Sequence, residues 1–344
     1  MAGSQTEPLV TVTIPTYNRA ALLSQTIRSV LDQSLQEFEL FISDNASTDD
    51  TAAVVASLHD PRVHYVRNDT NLGHLVNLSR GLRLGSAPFL TVLPDDDVML
   101  PGNLERKVGL LQGDSRLGLA HSASRLVHIG SANEVLSTDV SYTGGFADWK
   151  QPGPEVLRRL LTDDSWINFP TAVIRRSVIG DARFDEEDGL ADDLGMFLRL
   201  MRRVDAVAYI AEPLVALRMH ADAVSSSQGF HELRGGAFSP TFIAVGNIRD
   251  ASDRFLAQYG NEFDDASEIR ASSRRWTRSL LLRVAEARSA AVGSRLARCG
   301  VLLDAAKVDP AVLLSREGVR FFGRSVLGPK GRSLARRVQG WIAT

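Results

Sequence analysis

The first hundred residues alternate between short apolar segments and amphipathic helical segments, and this alternation restricts the fold more than any other feature of the chain. The short segments at 9–14, 38–43, 63–67 and 89–93 are rich in β-branched and aromatic residues, which is typical of buried strands. The intervening segments carry apolar residues at helical spacing. Strands alternating with helices predict a parallel sheet, in which ligands bind beyond the carboxyl ends of the strands.

The remainder of the chain is less regular. Residues 101–230 mix strand-like and helical pieces, whereas residues 231–344 are mainly helical and include a long candidate helix at 267–298. We therefore expect an α/β domain at 1–230, with a first half at about 9–100 and a second at about 101–230. A helical C-terminal region at 231–344, ending in a basic tail, should follow it.

Composition places the chain among ordinary soluble proteins. It has 344 residues, 44% hydrophobic and 23% charged, and a formal net charge of -2, which predicts no whole-chain attraction to nucleic acid. The single cysteine, Cys299, excludes an internal disulfide framework and fits a reducing compartment. Residues 1–8 do not resemble a secretory leader, and no apolar run approaches the roughly 20 residues of a membrane helix. We expect a cytoplasmic protein.

Four polar clusters lie where the predicted strands end, the third of them after a short loop. They are PTYNR at 15–19, DNASTDDT at 44–51, NLGH at 71–74 and DDD at 95–97. Taken singly, the first is typical of a turn and the second of a helix cap. Three adjacent carboxylates are more specific, because at the mouth of a buried strand they repel one another unless a cation neutralises them. Oxygen-only ligands favour Mg²⁺ or Mn²⁺ over zinc.

The four clusters, in this order and spacing, resemble the family-2 glycosyltransferases of GT-A fold over residues from about 10 to 226. The resemblance implies a catalytic domain at 1–230, built on a mixed sheet flanked by helices. It also implies metal-assisted, inverting transfer of a sugar from a UDP- or dTDP-sugar to an acceptor hydroxyl. The residues that it assigns to the donor nucleotide are Pro15, Thr16, Tyr17, Asn18, Arg19, Asp44, Asn45, Asn71, Gly73, Asp95 and Asp96.

Within this resemblance, the 15–19 loop frames the base, Asp44 hydrogen-bonds the pyrimidine ring, and the acidic cluster supplies a ribose contact and the metal site. The implied metal ligands are Asp96, Asp97 and His220, the last from an Arg-x-His sequence that begins at Arg218. A lone histidine near a strand end is equally well explained as structural. Many family members carry an aspartate where this chain has Pro94, so either Asp96 or Asp97 fits as the main metal ligand.

A second acidic pair resembles the catalytic site of the family. Asp192 and Asp193 open a predicted helix that continues to Arg199, and by this resemblance Asp193 is the general base with Asp192 as its neighbour. An acceptor hydroxyl must lose a proton as it attacks the anomeric carbon, and a carboxylate can take it. The alternative explanation of the pair is a plain helix cap.

Weaker expectations concern the acceptor and the tail. Trp166 and Asn168 lie where acceptor-facing loops lie in relatives, although packing in the core is the better explanation of Trp166. The basic and apolar tail after residue 314 predicts either contact with the inner membrane face or packing on the enzyme, and its glycines favour packing. The acceptor is a glycan, a lipid-linked intermediate or a small molecule, and a homo-oligomer is left open.

Two other functions remain alternatives. A nucleotidyltransferase uses a similar fold and acidic site, but it would place a glycine-rich, cationic loop after the first strand, where this chain has the 15–19 cluster. A non-catalytic sugar-nucleotide-binding protein would not need the acids at 192–193. The chain has no G-x-G-x-x-G after its first strand and no cysteine or histidine pair at zinc spacing, which argues against a dinucleotide oxidoreductase and a zinc site.

Overall fold

The structure is a computed structural model that describes most of the chain. The described residues are 7–130, 134–141, 143–163, 167–219, 231–234, 237–240, 242–290 and 294–325.

The sheet is built around β1, which is buried along its whole length. Its strands are β1 (Val10–Thr16), β2 (Phe38–Asp44), β3 (Val63–Arg67), β4 (Phe89–Val92), β5 (Val98–Met99), β6 (Leu117–Ile129), β7 (Val135–Ser141), β8 (Trp149–Pro152), β9 (Val173–Arg175) and β10 (Ala206–Met219). The order along the main path is β3-β2-β1-β4-β9-β6-β10-β5, with β7 beside β6 and β8 beside β10. The pairs β1–β2, β2–β3 and β1–β4 are parallel. β9 runs antiparallel to both β4 and β6.

Helices connect and cover these strands. They are α1 (Ala20–Leu31), α2 (Thr51–Ala56), α3 (His74–Gly81), α4 (Asn103–Gly113), α5 (Gly153–Thr162) and α6 (Asp192–Met201). The buried face of α1 carries Leu23, Ile27 and Val30, as the helical spacing predicts, and these side chains share a core with β1 and β2. The mixed α/β fold predicted from the alternation is therefore confirmed.

The strand order creates a crevice at one place in the first half of the sheet. The chain passes from β1 to β2 and β3 on one side, and then crosses to β4 on the other side of β1. Ligands of such sheets bind beyond the carboxyl ends of the strands at this change of direction. The crevice therefore lies between the residues that follow β1 and those that follow β4.

Two compact units are found among the described residues. The second contains Leu161–Asp163, Asp188–Ala191 and the residues from 231 onward, and the first contains the rest. The second unit includes the hairpin of β11 (His231–Arg234) and β12 (Ala237–Pro240). Its helices are α7 (Phe242–Tyr259), α8 (Ala266–Ala290), α9 (Arg295–Val308) and α10 (Arg316–Ser325). It has its own apolar core, which includes Phe321.

Two local predictions for the C-terminal region were wrong. The single helix expected at 267–298 is instead two helices, α8 and α9, and Ser294, which precedes α9, belongs to neither. The region expected to be helical from residue 231 begins instead with the hairpin of β11 and β12. None of the helices in the described ranges has the length and apolar character needed to cross a bilayer.

Candidate active site

Asp95, Asp96 and Asp97, here called the acidic triad, lie in the loop that follows β4. Asp95 is buried, and its Oδ2 accepts a hydrogen bond of 2.7 Å from the hydroxyl of Thr16 at the end of β1. The backbone N–H of Tyr17 also donates to this carboxyl group. The triad therefore occupies the crevice between β1 and β4 that the topology identifies.

Two arginines bring positive charge to the triad. Arg19 places Nη1 2.7 Å from Oδ2 of Asp96, and its Nε is 3.9 Å from Oδ1 of Asp95. Arg218, on β10, donates its backbone N–H to Oδ1 of Asp97 at 3.0 Å and its Nε–H to the backbone carbonyl of Asp96. The two side chains reach the triad from elements far apart in sequence.

Arg218 was not predicted as a site residue, because the Arg-x-His resemblance points to His220. In the structure Arg218 is only 8% exposed, and its guanidinium also bonds Gln25 Oε1 at 2.6 Å and Thr26 Oγ1 at 3.0 Å. A buried arginine requires several acceptors. An arginine near the end of a mostly apolar strand was the signal that could have identified it.

Negative charge nevertheless remains in excess at the triad. Burial raises the pKa of Asp95 to about 7, and the neighbouring charge of Asp96 adds to this effect. Burial and the charge of Asp96 likewise raise the pKa of Asp97 well above its usual range, while the N–H of Arg218 opposes the shift. The triad is therefore a place where additional positive charge would be favourable.

The donor set fits Mg²⁺ or Mn²⁺ shared with a nucleotide, and it does not fit a metal cage made of protein alone. Across the ranges that the structure describes, no three His, Cys, Asp or Glu side chains are arranged to hold a metal ion by themselves. Mg²⁺ is usually held by one or two carboxylates together with substrate phosphates and water. Asp96 and Asp97 provide such a pair of oxygen ligands beside the excess charge.

Asp44 lies in a closed hydrogen-bond network at the end of β2. Its side chain is fully buried, and Oδ1 accepts from the N–H of Ser47 at 2.9 Å. Oδ2 accepts from the hydroxyl of Tyr65 and from Nη1 of Arg67, the latter at 3.1 Å. Tyr65 and Arg67 were not predicted as site residues, although both stand on β3 beside the 44–51 cluster.

The 15–19 loop and the 44–51 loop are hydrogen-bonded to each other. Asn18, at a positive φ of 52°, accepts from the N–H of Thr48 at 2.7 Å and donates its own N–H to Ser47 at 2.9 Å. This pair of bonds fastens the 15–19 loop to the 44–51 loop. Pro15 is buried, whereas Tyr17 is 43% exposed.

Asn45 connects the second loop to the third. Its Nδ2 donates to Oδ1 of Asn71 at 2.7 Å and to the carbonyl of Gly73 at 3.1 Å. Gly73 has φ of 88°, a conformation that favours glycine, and it immediately precedes α3. Asn45 is 3% exposed, so in this structure its side chain orders the 71–74 loop.

The second acidic pair opens α6 as the sequence predicts. The N–H of Asp193 donates to Oδ1 of Asp192 at 2.8 Å, and the backbone N–H of Phe169 donates to the carboxyl group of Asp193. Burial, together with the charge of Asp192, raises the pKa of Asp193 well above its usual range. An aspartate with a raised pKa is a stronger base once it is ionised.

The turn at Phe169–Thr171 brings Asp193 to the same edge of the sheet as the triad. This turn leads into β9, which runs antiparallel to β4 with Leu90 opposite Ile174. The turn therefore lies toward the carboxyl end of β4, and it packs against β4, β6 and β10. In the same segment, Asn168 donates its side-chain amide to Ser124 Oγ at 2.9 Å. Trp166 and His220 fall outside the described residues.

Comparison with known proteins finds matches to the first part of the chain. Residues 11–126 match the family model described as Glycosyl transferase family 2. A GalNAc(5)-diNAcBac-PP-undecaprenol beta-1,3-glucosyltransferase of Campylobacter jejuni is 31% identical over 183 residues, which are 52% of this chain and 56% of the relative. The putative colanic acid biosynthesis glycosyl transferase WcaA of Escherichia coli is 27% identical over 208 residues, 56% of this chain and 66% of the relative. The matches thus span less than two thirds of either relative.

A solved structure shares the fold. Residues 1–349 of Staphylococcus aureus TarS, in complex with UDP-GlcNAc, superpose with a TM-score of 0.50 at 16% sequence identity. The superposition covers 88% of this chain and 90% of the TarS chain. The likeness in fold extends beyond the residues of the family model.

Proposed function

We propose that this chain is a family-2 glycosyltransferase that transfers a sugar from a UDP- or dTDP-sugar to an acceptor hydroxyl with inversion, and the match of residues 11–126 to the family model supports this. The observation that carries the proposal is the presence of two separate acidic groups at one edge of the sheet. The acidic triad follows β4, and Asp193 is held by Phe169 in the turn before β9. The first group would bind the donor and its metal ion. The second would supply the base that deprotonates the acceptor.

The donor nucleotide is proposed to lie across the crevice between β1 and β4. Tyr17 offers an exposed ring for the base, and Asp44 with Tyr65 and Arg67 forms a polar surface at the end of β2. The Asp44 side chain is fully buried behind its hydrogen-bond donors, so a pyrimidine N–H reaches it only if one of these donors moves aside. Asp95, held by Thr16, orients the loop that meets the ribose and diphosphate.

Asp96 and Asp97 are proposed to hold Mn²⁺ or Mg²⁺, with His220 as a further ligand. When bound, such an ion would neutralise charge that develops on the departing diphosphate. Arg218 holds the backbone on which both carboxylates stand, and its charge lowers the repulsion among them. The protein thus preorganises the negative groups before the donor arrives.

Asp193 is proposed to accept the proton of the acceptor hydroxyl. The acceptor oxygen forms a bond to the anomeric carbon from the face opposite the diphosphate, the bond from that carbon to the diphosphate oxygen breaks, and the nucleoside diphosphate leaves with the electron pair. The configuration at the anomeric carbon is inverted because there is one displacement. Asp192 keeps the pKa of Asp193 raised, which strengthens it as a base.

The acceptor is proposed to be a hydroxyl of a glycan, a lipid-linked intermediate or a small molecule. The Campylobacter relative is named as a glucosyltransferase of GalNAc(5)-diNAcBac-PP-undecaprenol, which makes a lipid-linked acceptor the first class to test. Peripheral membrane contact through Lys330, Arg332, Arg336 and Arg337 would accompany such an acceptor at the inner membrane face. These four residues lie outside the described part of the chain.

The experiment is a donor panel with the purified full-length protein. UDP-, dTDP- and GDP-sugars are incubated with Mn²⁺, and slow hydrolysis of the donor is followed by release of the nucleoside diphosphate. Release from a UDP- or dTDP-sugar, absent in EDTA, supports the proposal. Tight binding without release, and without transfer to any acceptor of the three classes, would instead indicate a non-catalytic sugar-nucleotide-binding protein.

A further inference from the structure

The two arginines at the acidic triad hold it in different ways. The guanidinium of Arg218 bonds neutral oxygens, those of Gln25 at 2.6 Å, Thr26 at 3.0 Å, the carbonyl of Leu22 at 3.4 Å and the carbonyl of Asp96. None of these four acceptors is a carboxylate, and the residue is 8% exposed. Its charge therefore stays in place whatever binds at the triad.

Arg19 instead places its charge directly on a carboxylate oxygen. Its Nη1 lies 2.7 Å from Oδ2 of Asp96, and the two side chains are 20% and 15% exposed, respectively. Charge-assisted hydrogen bonds of this length are stronger than bonds between neutral groups. The oxygen that Arg19 occupies belongs to a proposed metal ligand.

We propose that Arg19 is an exchangeable counter-charge for Asp96, pairing with the carboxylate when no divalent cation is bound and yielding Oδ2 when one binds. The inference rests on the proposed function, in which Asp96 ligates the cation. The guanidinium both occupies the oxygen and neutralises part of its charge, so a cation must compete with it. Arg218 cannot take this role because its side chain is committed to neutral acceptors.

The exchange has a consequence for the order of binding. An arginine released from Asp96 can meet the diphosphate of the donor, because the planar guanidinium matches pairs of phosphate oxygens. Binding of the cation then raises the affinity for the nucleotide, and by linkage the nucleotide raises the affinity for the cation by the same factor. The free enzyme should bind Mn²⁺ weakly, and UDP should strengthen that binding partly through Arg19.

The test is a Mn²⁺ titration of the full chain without nucleotide, read by the electron paramagnetic resonance signal of free Mn²⁺. Arg19→Gln is compared with Arg19→Lys and with Arg28→Gln, which removes the same charge from an exposed position on α1. We expect Arg19→Gln to bind Mn²⁺ about tenfold more tightly than the wild type, the scale of one charge-assisted hydrogen bond. Arg28→Gln should stay within about twofold, since exposed charges are screened, and Arg19→Lys should fall between the two.

A second titration with UDP present completes the experiment. The factor by which UDP tightens Mn²⁺ binding should be smaller in Arg19→Gln than in the wild type. If Arg19→Gln binds Mn²⁺ no more tightly than Arg28→Gln, the exchange is refuted. If Arg19→Gln fails to fold, Arg19→Lys serves as the test: Mn²⁺ binding tighter than that of Arg28→Gln supports the exchange, and equal binding refutes it. Absence of Mn²⁺ binding in every variant, with and without UDP, would contradict the metal assignment of the proposed function instead.

Discussion

The hydroxyl of Thr16 donates a 2.7 Å hydrogen bond to Oδ2 of Asp95, and this bond ties the end of β1 to the loop that follows β4. The two residues are 79 positions apart in sequence, yet they stand side by side where the order of the strands changes direction. The bond therefore joins two clusters that the sequence presents separately. It also fixes one member of the acidic triad before any ligand binds.

We predict that Thr16→Val lowers the free energy of unfolding at pH 8 by about 1.5–3 kcal/mol, because the bond is made to an ionised carboxylate. Thr13→Val is the matched control on the same strand: Thr13 donates to the neutral carbonyl of Gly81 at 3.1 Å. Its cost should be about 0.5–1.5 kcal/mol. Chemical denaturation measures both, and UDP binding should weaken only in Thr16→Val. Equal effects of the two variants on UDP binding would contradict a role for the Thr16–Asp95 bond at the donor site.

UDP or dTDP together with Mn²⁺ should raise the melting temperature, and EDTA should abolish the rise. A ligand that binds only the folded state stabilises it by about 2.7 kcal/mol at a hundredfold excess over its dissociation constant. The physical reason is the excess negative charge of the acidic triad, which a nucleotide alone would increase. Differential scanning fluorimetry with and without EDTA measures the effect. Equal shifts in both conditions would remove the metal from the proposal.

Asp193→Asn should reduce turnover by about 10²–10⁴ while leaving the dissociation constant for UDP with Mn²⁺ nearly unchanged. The amide keeps the shape of the carboxyl group but cannot take a proton. Asp181→Asn, at a side chain 40% exposed, is the surface control and should retain activity within about twofold. A parallel loss of donor affinity and turnover in Asp193→Asn would assign this residue to binding rather than catalysis.

The pH dependence of turnover should report the raised pKa of Asp193. The carboxylate is the active form, so turnover should fall as pH decreases through this pKa, at a midpoint above the usual aspartate value of 3.8. Because the charge of Asp192 contributes to the shift, Asp192→Asn should move the midpoint to lower pH. A pH–rate profile of the transfer reaction measures both midpoints. An unchanged midpoint in Asp192→Asn would show that another group controls the acid limb.

Lys107 should make stability depend on pH above neutrality. Its side chain is fully buried, its Nζ donates to Asn103 Oδ1 at 3.3 Å, and burial lowers its pKa well below the usual 10.5. Between the two pKa values the unfolded chain binds more protons than the folded one, so stability rises with pH by up to about 1.4 kcal/mol per unit. The stability gained at high pH is therefore lost as pH falls toward the pKa of Lys107 in the folded state.

Lys107→Met should therefore stabilise the protein at pH 7 by about 1–3 kcal/mol, the cost of burying a poorly satisfied polar group. Its advantage over the wild type should shrink as pH approaches 10. Denaturation at several pH values gives the comparison, with Lys150→Met, at a side chain 50% exposed, as the control that should show neither effect. A constant difference between Lys107→Met and the wild type across this range would show that Lys107 does not titrate with unfolding.

The sequence by itself determined the fold class and the positions of the polar clusters at the ends of the strands. Strand and helix periodicities are local properties, so the alternation predicted the parallel strands β1 to β4 and the buried face of α1. The run Asp95–Asp97 also needed no tertiary information, because adjacent like charges after a buried strand are costly in any parallel sheet. Local patterns failed where the C-terminal region begins, since a short hairpin has little periodicity to detect.

Only the tertiary structure decided which of these residues face one another. Arg218 lies 121 positions from Asp97, and the antiparallel pairing of β10 with β5, in which Ala216 lies opposite Val98, brings it to the triad. Asp44 and Asn45 are predicted ligand contacts, and the fold adds partners that the sequence did not indicate: Asp44 bonds residues of β3, and Asn45 bonds the 71–74 loop. The physical reason is that a buried polar group must find partners, and which partners it finds depends on the strand order rather than on the spacing along the chain.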